Sequence, residues 1–346
     1  MNFDRQKLLI GLFCLISTPI FADTLRIAFG SCYDQRLPSE MIFHAIAKAD
    51  PKFMIMTGDN IYIDSDKPAK FASDYALLGA NKGYANLAAK DKIMAIWDDH
   101  DYGLNDGGKD FHAKQIAKQY FVDFFAYEEL QNIPEESGIE HARRIQVGDN
   151  IIQIIMLDTR WYRDDLEFNS LSEEVREEFQ LGAYRPHTDP SKTLLGETQW
   201  QWLETQLKKP ADLNIIVSSI QVVAELTAWE TWANFPHERN RILAMLEQYS
   251  PGKAVILSGD VHRSETSRLP MNDWYLYEFT GSGLSATMYP AKPNIHRIGD
   301  VVTDNNFGIL DIEFNKQGIV FKAGYYDTQG KPLSEMLLSP STRSKR

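Results

Sequence analysis

Six short, almost wholly apolar runs constrain this chain more than any other feature: residues 25–30, 53–57, 93–97, 151–157, 214–218 and 254–258. Each has the length of a strand and little alternation, the pattern of strands covered on both faces. Segments with helical spacing lie between them. Residues 40–49 carry Met41, Ile42, Ala45 and Ile46 at helical intervals, and 115–126, 197–208 and 240–249 behave similarly. Strand–helix alternation predicts an α/β domain with parallel strands. The C-terminal part differs. Residues 275–280, 309–314 and 319–325 alternate with turn residues, among them Asn315-Lys316-Gln317-Gly318, and predict an antiparallel hairpin closing a sheet. No repeat or flexible linker divides the chain, so one domain is expected over 23–336, with the polar, basic 337–346 as a frayed tail.

The runs end in ionisable groups. They close at Ser31-Cys32, Gly58-Asp59, Asp98-Asp99-His100 and Gly259-Asp260-Val261-His262. Sites in open α/β sheets gather beyond the carboxyl ends of strands. Each motif alone has a bland reading: a turn with an exposed Tyr62, a solvated acidic loop at 98–101, a capped strand end at 259–262. Together they favour a site, because four consecutive ionisable groups are costly to bury without compensation. Asp59 has two oxygens with which to bridge two metals. Tyr62 faces the same point after a tight turn. Asp260 and His262, two residues apart, point the same way from an extended chain. His100 is the candidate proton donor.

Composition narrows the class, and the first 22 residues predict the compartment. A hydrophobic content of 43% is ample for a core. The net charge of -12 argues against a nucleic-acid-binding surface. No permanent membrane span is expected after residue 22. Arg5 and Lys7 precede an apolar run over 8–21 that closes at Ala22, which predicts a Sec-type signal peptide cleaved after Ala22 and a periplasmic or secreted product. Cleavage removes Cys14 and leaves Cys32 as the single cysteine, unable to form an internal disulfide.

At these residues the chain resembles the alkaline phosphatase D (PhoD-like) family of the metallophosphatase superfamily. The resemblance is carried by Phe29-Gly30-Ser31-Cys32, Gly58-Asp59-Asn60-Ile61-Tyr62, Trp97-Asp98-Asp99-His100-Asp101, Leu157-Asp158-Thr159-Arg160-Trp161-Tyr162-Arg163 and Ser258-Gly259-Asp260-Val261-His262, in the family's order. Cys32, Asp99, Gln221 and Asp260 stand where the wider superfamily carries histidine or asparagine, which marks this branch. The resemblance implies an α/β fold of metallophosphatase type, an α/β/β/α sandwich of two mixed sheets flanked by helices. It implies a two-metal site: Cys32, Asp59, Tyr62 and His262 for one ion, and Asp59, Asp99 and Asp260 for the other. The first set, with its phenol, suits Fe³⁺, with zinc as the alternative. The second is all oxygen and suits Ca²⁺, Mg²⁺ or Mn²⁺. The resemblance further implies a phosphate-ester substrate, His100 as proton donor to the leaving group, and Arg160 gripping a phosphate oxygen. Asp98 is expected to orient His100, Asp158 to orient Arg160, and Gln221 to stand behind the ligands. The additional N-terminal β domain of longer members does not fit ahead of Cys32.

Two other functions compete. One is an exported metal-binding protein without turnover, which the retention of His100 and all six proposed ligands opposes. The other is a thiol hydrolase using Cys32, which the neighbouring carboxylates oppose by raising the thiol pKa. The aromatic segment 229–236 reads either as packing over a sheet edge or as a substrate loop.

Overall fold

The computed structural model describes residues 23–37, 40–316 and 318–341. The proposed signal peptide and residues 342–346 of the expected tail lie outside them. Two mixed sheets form the centre. The first runs in the order Pro332–Leu338, Gly318–Asp327, Asn306–Asn315, Asp23–Gly30, Phe53–Thr57, Ile93–Ile96. Its last three strands are parallel to one another, and the others add antiparallel. The second sheet runs Arg297–Val302, Ser264–Pro270, Tyr275–Thr280, Ala254–Ser258, Leu213–Val217, Asn150–Met156, His141–Val147. Its four central strands are parallel.

The apolar runs make sense in this arrangement because their side chains serve two layers. Val255 and Leu257 join Ile27, Ile55, Ile154 and Val217 between the sheets. Ala254 and Ile256, from the same strand, pack outward with Ile216 against Trp200, Leu203, Ile242 and Leu246. The last four belong to the helices Gly196–Leu207 and Pro236–Tyr249. A strand with helix on one face and sheet on the other has no polar side, so period-two alternation disappears. The sandwich is the expected fold class, and the expected C-terminal hairpin is present, turning between Asn315 and Gly318.

Several strands left no apolar run. His141–Val147 and Pro332–Leu338 are sheet edges with mostly half-exposed side chains. The second of these corrects the expected tail: Leu337 and Leu338 pair with Lys322 and Phe321 rather than fraying.

The site lies where the two sheets meet at the carboxyl ends of their parallel strands. Thr57 Oγ1 donates across to Ser258 O at 3.4 Å, and Ser31 Oγ to Gly281 O at 3.2 Å. The approach demands glycine. At Gly259 an added Cβ would collide with Ser31 Oγ and stand 2.8 Å from Thr57 O, both at strand ends of the facing sheet.

Candidate active site

Tight turns after the strands bring the proposed ligands together. Cys32, Asp59, Asp260 and His262 all have positive φ, at 58°, 47°, 72° and 50°. Non-glycine residues rarely adopt this region, and four of them at one site mark strain held by the surrounding packing. The extended geometry expected for Asp260-Val261-His262 is therefore not what aligns that pair. Donor atoms of Cys32, Asp59 and His262 lie within 4.8 Å of one another. Tyr62 completes the group, its hydroxyl 3.0 Å from His262 Nε2. His262 Nδ1 donates to Thr287 O at 2.6 Å, which points Nε2 toward the cluster. Asp59 also groups with Asp98 and Asp260, and with Asp99 and a ring nitrogen of His100. Asp99 and Asp260 thus approach Asp59 in two different groupings.

The electrostatics describe a site short of positive charge. Burial, then the charges of Cys32, Asp99 and Asp98, push the Asp59 carboxyl well above its ordinary range. Burial with Asp98 and Glu230 does the same to Asp260. Tyr62 is driven upward by burial and by Cys32 and Asp59, so its phenol stays protonated unless a cation of high charge adjoins it. Asp98 Oδ2 is buried without a hydrogen bond. Converging carboxylates, a thiol, an oriented imidazole and an orphaned oxygen fit bound cations.

Cys32 departs from expectation. Burial raises its pKa, but the charge and hydrogen bond of His262, aided by Ser282 and Ser31, outweigh burial and bring it to about 6. The carboxylates therefore do not keep it a thiol. What counts against a nucleophile is access: Cys32 is 0% exposed and lies behind the cleft wall.

The acidic loop is not solvated, since Asp98, Asp99 and Asp101 are all buried. Asp101 accepts from Asp98 N at 2.6 Å and Asn60 N at 3.1 Å, tying two strand ends together. His100 sits at the cleft, its ring 4.2 Å from that of Tyr62. Asp98 does not orient it. That part falls to Asp64, whose Oδ1 is 2.6 Å from His100 Nδ1. Burial opposes the charged imidazole, but the Asp64 bond and the Asp99 charge prevail and lift its pKa to about 9.

Arg160 takes a different place from the one expected. It is wholly buried, with Nε donating to Asp98 Oδ1 at 2.6 Å and Nη1 to Glu230 Oε1 at 2.9 Å. Its fork is thus occupied by two carboxylates, away from the cleft lining. Asp158 holds the Arg160 backbone, accepting from its N at 2.8 Å while also receiving Trp97 Nε1 at 2.9 Å. Gln221 lies in a separate network, donating to Glu265 at 2.8 Å and Thr280 at 3.0 Å. Segment 229–236 divides: Trp232 and Phe235 pack in the core, while Trp229 and Glu230 line the cleft. The residues that escaped sequence reasoning are Asp64, Glu230 and Asp106, the last two grouping with Asp99 at the cleft. Asp64 carried one signal, lying two residues after Tyr62 on the same loop.

The cleft in front of the cluster holds about 610 Å³. Fold and cluster together define a two-sheet α/β protein with a candidate metal centre at the joined strand ends. Residues 27–320 match the PhoD-like phosphatase family, and the chain belongs to that family. Alkaline phosphatase D of Bacillus subtilis (strain 168) is 25% identical over 222 residues, covering 59% of this chain. The match spans 35% of that relative's length, so the chain corresponds to about a third of it. The structure titled "Structure of PhoD" superposes with a TM-score of 0.68 at 19% identity, over 92% of this chain and 68% of the other. GAP50 of Plasmodium, titled the anchor in the inner membrane complex, gives 0.54 at 14% identity, over 93% and 90%. Both likenesses concern the fold. Among the described residues, no helix is long and apolar enough to cross a membrane.

Proposed function

We propose that this chain is an exported, metal-dependent phosphoric ester hydrolase acting on monoesters or diesters. The observation that carries the reading is the convergence of Cys32, Asp59, Tyr62 and His262 beside Asp99 and Asp260, at a cleft where His100 is held by Asp64. Cys32, Asp59, Tyr62 and His262 would hold one cation, and Asp59, Asp99 and Asp260 the other, with Asp98 close by. Cations bound there would supply Lewis-acid polarisation of the phosphoryl group and of the attacking water. Fe³⁺ with Ca²⁺ balances the five anionic groups; zinc is the alternative at the first site. Arg160 keeps the Asp98 carboxylate charged and in place. His100, protonated and fixed through Nδ1, presents its other nitrogen to the leaving oxygen and donates the proton. The export part rests on residues 1–22 and is checked by N-terminal sequencing of the exported product.

The test is elemental analysis of the purified protein with assays of aryl phosphate mono- and diesters, with and without chelator. Chelator-insensitive turnover by metal-free protein would refute the proposal. Bound iron should colour the protein through tyrosinate or thiolate charge transfer, and Cys32→Ser and Tyr62→Phe should each shift that band. A colourless, active protein points to zinc or another spectroscopically silent metal, which the elemental analysis identifies.

Two variants test the proton donor. His100→Asn should slow hydrolysis of alkyl phosphates by about 10²–10⁴-fold and of 4-nitrophenyl phosphate far less, because that phenolate departs unaided. Equal losses on both would remove His100 from this role. Asp64→Asn should steepen the same leaving-group dependence by about 10–100-fold, the scale of losing a group that orients a working histidine. A flat leaving-group plot in that variant would mean that Asp64 only shapes its loop.

A further inference from the structure

The cleft carries positive charge that the proposed metal centre does not use. Arg36, Arg263 and Lys292 all line it. Arg36 is matched by Asp34 at 2.7 Å. Lys292 is not matched among the described residues, and Arg263 is only partly so: its Nη1 donates to the Val261 carbonyl at 3.1 Å, and its charge is attracted to Glu265 and, more weakly, Asp260. The Arg263 side chain is 4% exposed, and its Nε is buried without a hydrogen bond. Its nearest carboxylate oxygen, Glu265 Oε2, is 3.8 Å away and is already engaged by Arg297 Nε at 2.5 Å. The other Glu265 oxygen accepts from Gln221 at 2.8 Å and Asn294 at 3.0 Å. Glu265 is therefore saturated, with two guanidiniums sharing one negative charge. Lys292 pairs with no carboxylate among the described residues; its Nζ stands 5.5 Å from the centre of the Trp229 ring. Trp229 is 45% exposed and lines the same cleft.

An under-paired guanidinium and an unpaired ammonium lining one cleft leave room for an oxyanion partner, since buried cations are ordinarily fully paired. The exposed indole beside them offers a flat face for organic matter. We propose that Arg263 and Lys292 form a second anion subsite. The substrate is then a phosphate ester whose organic part carries a further phosphate or carboxylate, with its flat or apolar portion against Trp229. This rests on the phosphoesterase reading and narrows its substrate class.

The test is calorimetric titration of the metal-loaded protein with non-hydrolysable alkylphosphonates of increasing chain length, ending in methyl, carboxylate or phosphonate. A terminal anion should tighten binding about tenfold at the chain length that spans the two subsites. The preference should collapse in Lys292→Ala, a half-buried position unlike the enclosed Arg263, and invert in Lys292→Glu. The carboxylate and phosphonate arms report which oxyanion is preferred. Absence of any terminal-anion preference in the parent protein, or its survival in both Lys292 variants, would overturn the subsite. Hydrolysis of 4-nitrophenyl phosphate is measured alongside. Turnover without the preference refutes the subsite alone, whereas the preference without turnover refutes the phosphoesterase reading alone.

Discussion

Asp59→Asn is expected to lose both metals and to lower kcat at least ~10³-fold, about 4 kcal/mol of transition-state stabilisation. Asp59 is the residue common to three of the donor groupings, so one substitution removes a ligand from each proposed ion. The amide keeps the shape of the carboxylate and discards its charge, which separates coordination from packing. The change should not weaken the fold when metal is withheld. Burial and the charges of Cys32, Asp99 and Asp98 oppose the ionised carboxylate, so without metal the parent must take up a proton there on folding, a cost the amide does not carry. In chelator, the variant should melt at or above the parent's Tm; with metal restored, it should melt below. Metal content by elemental analysis, kcat and the two melting curves form the measurement. Retention of both metals with near-parental turnover would show that Asp59 does not join two sites.

Arg160→Met is expected to destabilise the protein by about 3–5 kcal/mol, the usual cost of stripping one partner from a buried ion pair. For a chain of this size that lowers Tm by on the order of 10 °C. Arg160 is enclosed with Asp98 and Glu230, and Asp98 also receives Ser219 Oγ at 2.6 Å. Without the guanidinium, both carboxylates remain buried and uncompensated. A residue that gripped substrate phosphate would behave otherwise, raising KM with Tm unchanged, and that outcome would overturn the structural assignment. Arg160→Lys should recover part of the stability but not the parallel bonds, because an ammonium cannot reproduce the planar fork.

Much of the candidate site was legible because its residues stand immediately after parallel strands, where sequence position and spatial position coincide. Cys32, Asp59, Asp99, His100, Asp260 and His262 follow four apolar runs, and parallel sheets deliver such ends to one edge. The Arg160 ion pair was not legible. Glu230 is 70 residues away in sequence, in a segment notable for its aromatic side chains. The same holds for Lys292 over Trp229 and for the single carboxylate of Glu265 facing two arginines. Nothing local marks such pairs.

The sequence by itself determined the strand–helix alternation, the C-terminal hairpin and the identity of the groups at the strand ends. It could do so because burial on both faces leaves an unbroken apolar run, and a run must end where polar groups begin. Tertiary structure alone decided what each group meets. It turned four strand-end residues into left-handed conformations, gave His100 to Asp64 rather than Asp98, and enclosed Arg160 between two carboxylates. The physical reason is that charge pairing in a low-dielectric interior depends on distance in space, and loops from two separate sheets set those distances only once the sheets have packed.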